Sequence, residues 1–98
     1  MSNVKHQYEV VQIFSMNLGE EGLAAMVQRF KELIEGNATL DKTDEWGKRK
    51  LAYPINDEPE GYYVLWHFTS DGDFPAEFDR VCKITDGVLR SLVIRLDS

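Results

Sequence analysis

A two-layer α+β domain of order β-α-β-β-α-β is predicted by three observations. Residues 20–35 carry one continuous apolar stripe at helical spacing. Residues 62–69 are a breaker-free run of aromatic, β-branched and apolar residues. A second apolar stripe, shorter, lies in front of a final extended segment.

Residues 8–14 are rich in Val, Ile and aromatics and read as the first strand. One face carries Tyr8, Val10, Gln12 and Phe14; the other carries Glu9, Val11 and Ile13. Each face holds one polar residue, so alternation leaves open which one is buried. In residues 20–35, Leu23, Met26, Val27, Phe30, Leu33 and Ile34 form the stripe of a core helix. Glu20 and Glu21 stand near its start, where the helix dipole favours anions, and Gly36-Asn37 predicts a left-handed stop.

Residues 39–45 are polar and weakly alternating, as suits an exposed edge strand. Trp46-Gly47 reads as a turn or bulge, and residues 51–55 resume the extended chain, with Tyr53 held away from helix by Pro54. Residues 56–61, with Pro59 and Gly61, read as a turn cluster. In residues 62–69, Tyr62, Val64, Trp66 and Phe68 share one face, and Tyr63, Leu65, His67 and Thr69 share the other. Both faces are largely apolar, which predicts a central strand.

Residues 70–73 form a loop. The second helix follows, with Asp73 or Phe74 at its cap, Pro75 in its first turn and Phe78, Val81 and Cys82 as its stripe. Gly87 ends the pattern, and residues 88–96 are the last strand. Two helices on one face of a four-stranded antiparallel sheet is the ferredoxin-like solution for this order, and it leaves the second sheet face for solvent or a partner.

The 98 residues and 43% hydrophobic content predict a single domain, 1–98, whose core needs neither disulfide nor metal. Cys82 is the one cysteine, so no intramolecular disulfide forms. No apolar run approaches the roughly 20 residues of a membrane span, and the polar first residues lack a signal-peptide core. A cytoplasmic protein with no membrane contact is the expectation.

The net charge is −6, from 11 basic and 17 acidic residues, yet Lys48, Arg49 and Lys50 stand in one run. Trp46 lies before them, with Tyr53 and Pro54 after. A cationic spot on an acidic chain points to a localised anion contact, nucleic acid among the candidates. On charge alone the solvated hairpin is the preferred reading.

Catalytic signals are weak. His6, His67 and Cys82 have no metal-ligand spacing, and no Gly-rich phosphate loop or nucleophile elbow is present. Cys82 lies on an apolar stripe and reads as a small buried hydrophobe, and Asp71-Gly72-Asp73 reads as a turn rather than a calcium loop. A non-enzyme with no catalytic residue, metal, cofactor or small-molecule substrate is expected. Among proteins of this topology, an acylphosphatase would carry an arginine in the loop at residues 15–19, which has none. An RNA-recognition motif would not carry an acid and a bulky ring where Glu60-Gly61-Tyr62-Tyr63 places them. A regulatory ligand-binding domain that dimerises through its open sheet face is the alternative.

Four pieces, in order and spacing, resemble the bacterial small-subunit ribosomal protein six family over residues 8–95. They are Tyr8-Glu9-Val10, the segment from Trp46-Gly47-Lys48-Arg49-Lys50 through Leu51-Ala52-Tyr53-Pro54-Ile55, then Glu60-Gly61-Tyr62-Tyr63, and Gly87-Val88-Leu89-Arg90-Ser91. The second is the most specific. The resemblance implies a structural ribosomal protein that binds the central domain of small-subunit ribosomal RNA as a heterodimer with small-subunit ribosomal protein eighteen. It also implies the contacts. Lys48, Arg49 and Lys50 match the family's basic run, Arg49 being the first choice because a guanidinium holds phosphate bidentately. Tyr53 matches the signature tyrosine, Tyr8 the aromatic of the first strand and Arg90 a basic position of the last. Gln12 departs from the pattern, standing where the family is usually apolar.

Overall fold

The computed structural model describes residues 5–55 and 58–96. The chain runs through β1 (His6–Ser15), a 3-10 turn (Met16–Leu18), α1 (Gly19–Asn37), β2 (Thr39–Ile55), β3 (Glu58–Ser70), α2 (Phe74–Ile84) and β4 (Val88–Arg95). The strands form one antiparallel sheet of order β2-β3-β1-β4, the ferredoxin-like arrangement expected. β3 is central, and β1 lies between it and β4.

Both helices cover one face. Leu23, Phe30 and Ile34 of α1 and Phe74, Phe78 and Cys82 of α2 share a core with Tyr8, Val10 and Phe14 of β1 and Val64, Trp66 and Phe68 of β3. Phe30 joins the layers, its ring 5.9 Å from Phe14 and 5.4 Å from Phe78. These tilted aromatic contacts add to the burial of several large apolar side chains.

The open register of β1 is settled by this core: Tyr8, Val10, Gln12 and Phe14 face the helices. Gln12 is fully buried, yet it is satisfied. Its Oε1 accepts from the Trp66 indole Nε1 at 2.9 Å, and its Nε2 donates to the Cys82 Sγ at 3.1 Å. A buried amide is tolerated when its polar atoms have partners, so the departure at this position is an internal tie between β1, β3 and α2.

Two boundaries differ from the sequence reading, and one that it left open is decided. Gly36-Asn37 is no left-handed stop, because α1 runs on to Asn37. It closes instead through the Ala38 N–H donating to the Ile34 carbonyl at 2.7 Å and the Asn37 amide donating to the Leu33 carbonyl at 2.9 Å. Second, β2 passes through Trp46-Gly47 without turning back, so the site is a bulge. Third, residues 58–61 belong to β3 rather than to a turn cluster; Asn56 and Asp57 of that cluster lie outside the described residues. An edge strand tolerates Pro54 because no neighbour beyond it needs the missing N–H. Asp71-Gly72-Asp73 is a turn, and Asp71 Oδ1 accepts from the N–H groups of Asp73 and Phe74 at the start of α2.

Candidate nucleic-acid interface

The long β2–β3 hairpin carries most of the residues of interest. Its edge strand breaks register three times, between Leu40 and Lys42, Glu45 and Gly47, and Lys50 and Ile55. Bulges re-aim side chains. At the second, Gly47 has φ 84°, a left-handed conformation that side chains resist. The extra residue, Trp46, lies over Tyr63 with ring centroids 6.3 Å apart and planes 17° from parallel. The Arg49 guanidinium stands 5.0 Å from the Trp46 ring centroid. Arg49, Trp46 and Tyr63 thus form one cluster on the sheet face away from the helices, a cation beside two near-parallel rings.

Strand alternation divides the basic run. Arg49 lies opposite Gly61, on the open face with Ile13 and Tyr63. Lys48 lies opposite Tyr62 and Lys50 opposite Glu60, on the helix side. Lys48 Nζ is 3.8 Å from the Glu60 carboxylate, an exposed pair of small energetic weight. Nearby, Tyr62 donates to Glu45 at 2.8 Å, and that bond to an anion raises the phenol above its ordinary range.

Arg90, Ile13, Tyr63 and Gly47 are ladder neighbours in one row that crosses all four strands. At the hairpin end of this row, residues 51–54 bow out between Lys50, which pairs Glu60, and Ile55, which pairs Glu58. Pro59, the residue facing the bow, has no N–H to hold the ladder. The bow creates a notch of about 120 Å³ whose walls include Ile13, Leu51, Tyr53, Tyr63 and Arg90. Gly61 lets the notch floor close: a Cβ there would stand 2.4 Å from Ile13 Cγ2. Tyr53 is 73% exposed. The structure therefore brings Arg49, Tyr53 and Arg90 to one face and leaves Lys48 and Lys50 on the other.

Tyr8, expected among the RNA contacts, is 7% exposed and packs on Phe68 at 5.7 Å, so it stands in the core rather than on the open face. Trp46 and Tyr63, which join Arg49 on this face, were not among the expected site residues. The signal for them was the bulge-forming Trp46-Gly47 opposite an aromatic on the next strand.

Toward β4 the same face becomes apolar, with Leu92 and Ile94 about half exposed. His67 and Glu9 sit between the two regions at 3.0 Å. No cluster of three or more metal-ligating side chains occurs among the described residues. Burial pushes the Cys82 thiol up to about 11, against the thiolate form a nucleophile needs.

A family model described as Ribosomal protein S6 matches residues 7–95. The small ribosomal subunit protein bS6 of Thermoanaerobacter pseudethanolicus is 54% identical over 91 residues, covering 92% of this chain and 96% of that one. The protein of the same name from Clostridium botulinum is 49% identical over 89 residues, covering 90% and 95%. The crystal structure of 30S ribosomal protein S6 from Thermotoga maritima superposes with a TM-score of 0.88 at 31% identity, covering 94% of this chain and 88% of that one.

Proposed function

The chain belongs to the ribosomal protein S6 family of the small ribosomal subunit, and from that premise we propose how it works there. It is a structural constituent that binds small-subunit ribosomal RNA, in the central domain, together with small-subunit ribosomal protein eighteen. It assembles rather than catalyses.

The observation that carries the RNA reading is the concentration of planar and cationic groups on one exposed face of an acidic protein: Arg49 on Trp46 on Tyr63, with Tyr53 and Arg90 alongside. Recognition of unpaired RNA uses stacking on such rings, and phosphate contacts fix register. Lys48 and Lys50, on the opposite side of the hairpin, reach a second stretch of phosphate backbone. The partner reading draws on the net charge of −6, which attracts a basic protein, and on exposed Leu92 and Ile94, which a protein surface covers.

The test is binding of the chain, with and without protein eighteen, to central-domain ribosomal RNA across a salt series. Changing Lys48, Arg49 and Lys50 together to Ala is expected to weaken binding. It should flatten the dependence on log salt by about one unit per lost phosphate contact. An unchanged slope would move the contact surface elsewhere. Absence of the wild-type chain from small-subunit particles in cells would end the proposal.

A further inference from the structure

We infer that the notch between the bowed segment of β2 and Arg90 holds one unpaired nucleotide of the bound RNA, its base against Tyr53 and its phosphate on Arg90. The inference rests on the RNA-binding reading above and deepens it by naming the recognised unit. Three features argue for it.

Size comes first. At about 120 Å³ the notch is smaller than the ~150 Å³ apolar cavity that encloses a benzene ring. It is open to solvent, so it seats the edge of one planar ring and leaves the rest of that ring outside.

Lining comes second. Ile13 and Leu51 give apolar walls and Tyr53 and Tyr63 give ring surfaces, while Arg90 supplies the charge. Among the described residues Arg90 has no ion-pair partner, although the chain carries 17 acids. A flat apolar ring joined to an anion is the chemistry that satisfies both halves of such a site. Third, Tyr63 is shared. It lines the notch and also carries Trp46 and Arg49, so a strand leaving the notch meets a second stacking platform at once.

The experiment uses the full chain with protein eighteen and a central-domain ribosomal RNA transcript. Ultraviolet crosslinking and mass spectrometry should find a nucleotide adduct on Tyr53 or Tyr63, and chemical probing of the free transcript should show that nucleotide unpaired. Tyr53→Ala should cost about tenfold in affinity with the salt slope unchanged, as loss of a stacking contact does. Arg90→Gln should lower the slope by about one. Circular dichroism of both variants checks that the fold is intact. Full affinity of Tyr53→Ala, or adducts joining the notch only to protein eighteen or to paired nucleotides, would overturn the notch while leaving RNA binding in place. Failure of the wild-type complex to bind the transcript would instead overturn the broader functional reading, and the notch with it.

Discussion

The two faces of the sheet are built from alternate residues of the same strands, yet they meet different surroundings. On the helix side, Val10, Phe14, Val64, Trp66 and Phe68 are essentially without exposure, and even the amide of Gln12 is consumed internally. On the other side, Tyr53, Leu92 and Ile94 are exposed, and Arg49 rests on Trp46 rather than on an acid. One register shift would exchange these sets. The proposed function divides the sheet into a face for stability and a face for recognition, and substitutions test how clean that division is.

The largest effect is expected from Phe30→Ala. Phe30 is fully buried and touches both β1 and α2, so its loss should cost about 3–5 kcal/mol in urea unfolding. RNA affinity of the fraction that remains folded should hardly move. A matching loss of affinity would mean that the two faces are coupled.

The next effect is one of pH. Burial raises the Cys82 thiol from its ordinary value of 9.0 to about 11; hydrogen bonds from Ser91 and Gln12 oppose the rise and Asp79 adds to it. Below about pH 9 the thiol is protonated in both states, and the stability is fully present. Between about 9 and 11 the unfolded chain ionises first, so stability should fall with rising pH. The total is roughly 2–3 kcal/mol at about 1.4 kcal/mol per unit. Urea midpoints of the wild type and Cys82→Ala, compared across this range, should diverge; parallel curves would remove the effect.

Gln12→Leu should cost about 1–3 kcal/mol, because the Trp66 indole N–H is left buried without its acceptor. A neutral outcome would mean that the internal polar tie adds nothing over an apolar side chain of that length. The smallest stability effect belongs to Arg49→Ala. Its guanidinium rests on an exposed ring, so unfolding free energy should change by about 0.5 kcal/mol or less. RNA binding should nevertheless weaken, and more than in Lys48→Ala. Equal losses in the two variants would show that the open face has no privilege over the helix side of the hairpin.

The helices and β3 were legible because their signals are periodic. Leu23, Met26, Val27, Phe30, Leu33 and Ile34 fit one helical stripe, and no short segment competes with it. The course of β2 was not legible. Trp46-Gly47 carries the same residues whether the chain reverses or bulges, and only pairing of Glu45 with Val64 and Gly47 with Tyr63 decides. Glu58 to Gly61 looked like a turn because Pro59 is a breaker in isolation, whereas at a hairpin end it only interrupts the ladder. Tyr8 was named a contact on the family resemblance alone; alternation left its face open, and only packing against Phe68 places it in the core. The split of Arg49 from its lysine neighbours, by contrast, follows from strand alternation once the segment is known to be extended. The notch needed the fold itself, since it joins a bow in β2 to a residue on β4.

The position of β1 has a consequence for how the chain is made. Tyr8 pairs with both Phe68 and Arg95, so the first strand to be synthesised waits for the last. Pairings this distant along the chain form slowly, and at about 5–20 residues per second the second edge of β1 stays bare for seconds during synthesis. A nascent chain truncated before β4 retains that bare edge, a template for the wrong strand. Pairing of β4 with β1 is therefore the step that closes the sheet.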